Sequence, residues 1–429
     1  MANQRVNIRE LILETLLLIT RDKEYSHLAL KSVLDKYRFL DKKDRSFIAR
    51  VVNGTIERKI EIDYVLDQFS KVKVKKMKPV IRVILESAVF QLFYMDHVPD
   101  SAICNEAVRL ADKRGFHNLK GYVNGVLRNI SRNKDDIKYK DLSVTYSLPQ
   151  WLISLWEENY DQKTIEKMGA YFLQRSPLSI RVNTVKLTKE ELMEKLTKEG
   201  VSYEEVADFP EALIIKGVDY LEKLESFKAG DFQVQDLSSM TVAKLANPKI
   251  DDYCIDVCAA PGGKSTHLGE LLKESGKVEA RDVSEYKVSL LEENIKRGGY
   301  PNVTARVWDA RMLDEQQKEQ ADIVLADLPC SGLGVIGRKA DLKYRVEPAD
   351  LKSLAALQRE ILTVVKEYVK PGGTLVYSTC TINRSENEEN ASWFEKENPE
   401  FTKTYEKQRL PGIDLGDGFY IAIFKRNKI

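Results

Sequence analysis

Two cysteines, one glycine turn and three aspartates carry the chemistry that this sequence can do. Cys330 lies in Asp327-Leu328-Pro329-Cys330-Ser331-Gly332 and Cys380 in Ser378-Thr379-Cys380-Thr381, each directly after a short apolar run. A lone cysteine is most often a small buried hydrophobe. Two thiols at the ligand-facing ends of neighbouring strands, about 4.8 Å apart, are instead placed for nucleophilic chemistry.

The glycine turn reads Cys258-Ala259-Ala260-Pro261-Gly262-Gly263-Lys264-Ser265-Thr266. Gly263-Lys264-Ser265 ends like a phosphate-wrapping loop, and Ile323 to Asp327 resembles the acidic strand of an ATPase. Against a nucleotide hydrolase, Cys258 stands where that loop needs its first glycine, and Pro261 removes an amide that should face phosphate. The GxGxxG spacing of a dinucleotide site is absent as well. What remains is a turn that lets backbone approach a small adenosine-bearing ligand. Asp282, 19 positions past Gly263, closes the next strand, where a carboxylate typically accepts hydrogen bonds from ribose hydroxyls. Asp309, after a third strand, is placed for an adenine amino group. With Cys258, Ala259, Ala260, Pro261, Gly262, Gly263, Lys264 and Asp327, these acids outline an S-adenosylmethionine pocket. Cys254, Cys258 and His267 group as metal ligands on paper only, since Cys254 lies inside a strand and no fourth ligand follows. No metal is expected.

The elements that must hold these residues follow from patterning. From about Gln233 onwards, short buried strands alternate with helices: Tyr253 to Val257, Lys277 to Ala280, Val303 to Val307, Ile323 to Ala326 and Thr374 to Tyr377. The spacing predicts a helix from Leu351 to Val369, stopped by Pro371-Gly372-Gly373. Such alternation means a parallel sheet with helices on both faces, and ligands bind beyond its carboxyl ends. Upstream, Leu178 to Val182 reads as a strand, and Thr188-Lys189-Glu190-Glu191 has capping-box spacing for a helix ending at Gly200. Val201 to Lys216 alternates like strands, so this middle part is a small α+β unit. Up to about Arg132 the apolar spacing is helical, as in Leu11, Ile12, Thr15, Leu16 and Ile19, with breaks at Lys78-Pro79, Val98-Pro99 and Gly115. A linker is expected from Asn133 to Pro149.

Length and composition agree with three domains. The chain has 429 residues, 43% hydrophobic and 31% charged, which are globular proportions. The most apolar run, Leu11 to Ile19, is too short for a membrane helix and contains Glu14, and Met1 to Glu10 has no apolar signal core. Five cysteines without a CxxC pair speak against a disulfide framework and for a reducing cytosol. The net charge of +1 hides a split: residues 1–140 carry +10 and the rest −9. A basic front, densest in the five lysines from Lys71 to Lys78, suits a polyanion such as nucleic acid.

The glycine loop, the Asp327 to Gly332 segment and the Ser378 to Thr381 segment resemble the RNA 5-methylcytosine methyltransferases of the RsmB/NOP/Sun group. The resemblance runs from about Leu178 to Phe424 and includes Arg181-Val182-Asn183 and Phe232-Gln233-Val234-Gln235-Asp236. The first 130 residues look like a NusB-type helical RNA-binding domain, notably Asn105-Glu106-Ala107-Val108 and Val123-Asn124-Gly125-Val126-Leu127-Arg128. The resemblance implies an all-α NusB-like domain over 1–135. It also implies a small ferredoxin- or RRM-like α+β domain over 136–232, and a Rossmann-like class I methyltransferase domain over 233–429. It assigns Cys380 as nucleophile on cytosine C6, Cys330 to product release, and Asp327 to the cytosine N3 and N4 edge, with Lys264 beside the ring. The implied substrate is small-subunit ribosomal RNA, methylated by a cytoplasmic monomer. Transfer RNA as substrate, and a non-catalytic RNA-binding assembly factor, stay as alternatives.

Overall fold

The computed structural model describes residues 6–428 except 175, 219 and 274. Its contacts divide the chain into two compact units, one made of residues up to Gln174 together with Ile336–Arg345, the other of 175–335 and 346–429.

The first unit is helical. Its central helix, Pro79–Tyr94, starts with proline at the first turn and is buried on nearly all sides from Ile81 to Leu92. Ile8–Thr20, Lys42–Glu57, Lys59–Phe69, Asp100–Lys113 and Lys120–Asn133 each turn an apolar face to this core. The three expected breaks are present: helices begin at Pro79 and directly after Pro99, and Gly115 follows the Asp100–Lys113 helix with φ 83°. The helical pattern does not end at Arg132, however. Short turns fill the expected linker, and Gln150–Glu157 and Gln162–Phe172 extend the helical unit, with Trp156 stacked on Phe172.

A strap of distant sequence completes this unit. Asp341 accepts from the Ser26 amide and hydroxyl at 3.0 and 2.5 Å. Lys343 is buried and donates to the Glu57 carbonyl at 2.7 Å. Arg345 lies over the Tyr25 ring at 4.3 Å, and Tyr344 packs against the helical core.

The second unit contains two sheets. Strands β1 (Leu178–Val182), β2 (Ser202–Val206), β3 (Phe209–Lys216) and β4 (Phe232–Val234) form an antiparallel sheet of order β2-β3-β1-β4. The expected capping box opens the helix Lys189–Lys198 that packs on it. The larger sheet holds β5 (Tyr253–Asp256), β6 (Lys277–Asp282), β7 (Val303–Val307), β8 (Ala321–Asp327), β9 (Val369–Thr379), β10 (Phe401–Arg409) and β11 (Phe419–Arg426). Its order is β10-β11-β9-β8-β5-β6-β7. The five strands from β5 to β9 are parallel as expected, and β11 and β10 add antiparallel pairs at one edge.

One expected helix boundary is corrected. The helix runs from Pro348 to Val365, one turn of 3₁₀ helix follows, and β9 starts at Val369. Pro371-Gly372-Gly373 therefore lies inside a strand rather than stopping a helix. An irregularity in the β8–β9 pairing between Ala321 and Ile323 accommodates it.

Candidate active site

The ends of β8 and β9 come together as expected. Their parallel register pairs Asp327 with Ser378, and the Leu328 amide donates to the Ser378 carbonyl at 3.0 Å. The thiols that follow are neighbours, with the Cys330 and Cys380 Sγ atoms 3.4 Å apart and both side chains partly accessible. Proximity to Cys380, then burial, raises the Cys330 thiol well above the ordinary range. Either sulfur can be the hydrogen-bond donor in this contact.

Asp327 and Lys264 form the polar side of the same pocket. Lys264 Nζ lies 2.6 Å from Asp327 Oδ2, and the Ser378 hydroxyl donates to Asp327 Oδ1 at 2.7 Å. Burial by itself lowers the lysine's pKa, but Asp327, with Asp256 and Cys380 adding, outweighs it and holds the ammonium above its usual value. The Lys264 ammonium also stands 5.2 Å from the centroid of Phe419. A charged carboxylate fixed by two donors at a strand end offers acceptors to the amino edge of a base.

The glycine turn connects β5 to the helix Gly263–Leu271. Gly262 has φ 105°, a backbone conformation that favours glycine over any residue with a Cβ. The loop is pinned by the Ala259 amide to the Arg281 carbonyl at 2.8 Å and by Asn294 to the Pro261 carbonyl at 2.9 Å. Beneath it, Asp256 is buried, accepts from Ser265 at 2.6 Å, and is pushed up to about 7 by burial and by Asp327. Burial also raises the Cys258 thiol.

Asp282 ends β6 with its carboxylate 5% exposed and Lys287 3.5 Å away. A buried acid beyond a strand, beside a glycine turn and the free amides of a helix start, fits the ribose and amino-acid groups of S-adenosylmethionine. Asp309 follows β7, at the strand end where the sequence placed it. Its carboxylate is held by Arg311, which lowers its pKa, and the ion pair lies at the surface of its own loop.

Residues that the sequence reading passed over hold the cysteine loops. Glu386 is fully buried and accepts from the Ser331 amide at 2.8 Å, Gln358 at 3.0 Å and Asn383 at 2.8 Å. Gln358 reaches the Pro329 carbonyl at 2.9 Å, and Thr379 donates to buried Asn387 at 2.6 Å. Gly334 donates to the Cys380 carbonyl at 3.0 Å. The polar run Asn383-Arg384-Ser385-Glu386-Asn387 carried the signal, since it begins three residues after Cys380, but polar runs ordinarily mark solvated loops. Among the described residues, no group of three His, Cys, Asp or Glu side chains forms a metal site, and no helix is long and apolar enough to cross a membrane.

Comparison with known proteins bears on this geometry. The family model "16S rRNA methyltransferase RsmB/F" matches residues 243–425, the NusB family model 6–132, and the model of the RsmF/B-like ferredoxin-like domain 148–219. A curated relative from Bacillus subtilis (strain 168), called probable ribosomal RNA small subunit methyltransferase B, is 38% identical over 418 residues, covering 95% of this chain and 92% of the relative. The crystal structure of PH0851 superposes with a TM-score of 0.82 at 28% identity, over 98% of this chain and 99% of that one. NSun6 from Pyrococcus horikoshii, solved with the S-adenosylmethionine analogue SFG, gives a TM-score of 0.60 at 25% identity, over 66% and 99% of the two chains.

Proposed function

Because the chain belongs to the ribosomal RNA small subunit methyltransferase B family, we propose that it methylates C5 of a cytosine in small-subunit ribosomal RNA through a covalent Cys380–C6 adduct. The observation that carries this reading is the 3.4 Å thiol pair beside the Lys264–Asp327 ion pair. Cytosine C5 is a poor nucleophile, and a thiolate bonded to C6 turns the ring into an enamine that is reactive at C5. S-adenosylmethionine, when bound, supplies the methyl group from its sulfonium.

Asp327 accepts from the cytosine N4 amino group and favours a protonated N3, which stabilises the ring as the Cys380 sulfur bonds to C6. Lys264 holds that carboxylate in place. In the release step the C5–H bond breaks and its proton passes to solvent water beside Cys330. The electron pair restores the C5–C6 double bond and expels the Cys380 thiolate. Access to C6 requires the nucleotide to be out of its stack, either single-stranded or flipped. The basic helical unit supplies sequence-independent affinity for the RNA backbone.

Mapping 5-methylcytosine in ribosomal and transfer RNA from cells with and without this protein tests the reading. Loss of one ribosomal 5-methylcytosine is expected. Loss confined to transfer RNA, or no loss of 5-methylcytosine, would overturn the substrate or the chemistry respectively.

A further inference from the structure

The most heavily bonded buried cation in the second unit lies outside the pocket just described. Arg181, on β1 of the small sheet, is fully buried. Its Nε and Nη2 donate to the two oxygens of Glu270 at 3.2 and 2.8 Å. Tyr300 donates to the same carboxylate at 2.6 Å. A charge pair of this kind satisfies itself, and burying it confers little net stability. The remaining donors go elsewhere. Nη1 reaches the Gly263 carbonyl at 2.8 Å and also Gln235, while Nη2 reaches the Thr266 hydroxyl at 3.1 Å. That hydroxyl in turn donates to the Gly262 carbonyl at 2.9 Å.

Gly262 and Gly263 are the turn itself, and Lys264 follows directly. The guanidinium thus grips two successive carbonyls of the cofactor loop, one directly and one through Thr266. Gln235, which completes the grip, comes from the Phe232 to Asp236 segment just as Arg181 comes from Arg181-Val182-Asn183. Asn183 meanwhile bonds the Gly230 and Gly298 carbonyls at 2.8 Å each. Arg181 and Gln235 therefore act on the glycine turn and its helix, and Asn183 on Gly298 at the end of the helix Glu285–Gly298. A planar fork with five donors can hold several acceptors at once, which a lysine cannot.

We infer that Arg181 is a positioning residue for the cofactor: through Gly263 and Thr266 it sets the conformation of the glycine turn that receives S-adenosylmethionine. The inference rests on the assignment of Cys258–Gly263 as the cofactor loop. The small sheet then contributes to cofactor binding through the turn.

The test uses the full chain with Arg181→Lys, which keeps a charge for Glu270 but loses the fork, and Arg181→Met/Glu270→Gln, which removes the charge pair and keeps an acceptor for Tyr300. Folding is followed by thermal melting, and S-adenosylmethionine binding by calorimetry without RNA. Folded variants with a dissociation constant raised about tenfold are expected, the loss of one or two hydrogen bonds to the turn. In turnover, KM for S-adenosylmethionine should rise more than kcat falls. Folded variants with wild-type affinity would overturn the inference. If both variants fail to fold, Thr266→Val decides, because it cuts the link to Gly262 and leaves Arg181 with Glu270. Weaker cofactor binding by Thr266→Val supports the grip and unchanged binding refutes it. Failure of the wild-type chain to bind S-adenosylmethionine would instead sink the pocket assignment.

Discussion

The Cys330 and Cys380 sulfurs lie 3.4 Å apart at the ends of adjacent parallel strands, and proximity to Cys380, then burial, raises the Cys330 thiol. Equal reactivity of the two thiols is therefore not expected. Cys380→Ala should abolish methylation and give no covalent RNA complex. Cys330→Ala leaves the nucleophile in place but impairs release, so a protein–RNA adduct should accumulate and survive denaturing electrophoresis. An adduct with Cys380→Ala and none with Cys330→Ala would reverse the roles.

The two cofactor acids should differ in weight. Asp282 is buried at the end of β6, whereas Asp309 is engaged by Arg311. Asp282→Ala is expected to weaken S-adenosylmethionine binding by about 1 to 3 kcal/mol, the cost of losing charge-assisted hydrogen bonds. Asp309→Ala should cost clearly less. Calorimetric titration of both variants checks the order, and equal losses would refute it.

All five lysines from Lys71 to Lys78 are exposed, while Val74 among them is buried. Replacing the five with glutamine should leave the fold intact and flatten the dependence of RNA affinity on salt. Each lost phosphate contact lowers the log–log slope by about 0.7 on single-stranded RNA. An unchanged slope would make the patch ordinary surface.

Lys343 gives the helical unit a pH dependence with a definite sign. Burial first, then Arg58, lowers its pKa from 10.5 to about 7, against the opposing charges of Glu57 and Glu61. Between those two pH values the unfolded chain binds more protons than the folded one, so this group makes stability rise as pH rises from about 7 to 10.5. Lys343→Met should remove that slope and raise the melting temperature at neutral pH. A melting temperature of Lys343→Met with the same alkaline rise as wild type would refute it.

The strand ends and the glycine turn were legible because their signals are local. Apolar runs of strand length stop at Asp327 and Thr379, and the cysteines follow immediately. The end of the Pro348–Val365 helix was misplaced because Pro371-Gly372-Gly373 has the composition of a stop, while its role in β9 depends on pairing with β8. Arg181 and Glu386 were illegible for a different reason. A charged residue reads as surface unless its partners are known, and those partners, Glu270 and Gln358, are remote in sequence. The strap could not be read at all, since nothing around Asp341 or Lys343 announces Ser26 or Glu57.

The strap also orders events in time. A ribosome releases the N-terminal helices with the seat for Asp341, Lys343 and Tyr344 still open, because residues 175–335 must be made first. During that interval the amide of Ser26 and the carbonyl of Glu57 depend on water or transient partners. The helical unit, although most of it emerges before residues 175–335, reaches its finished state only after them, and nascent-chain proteolysis there should subside only after Arg345 has emerged.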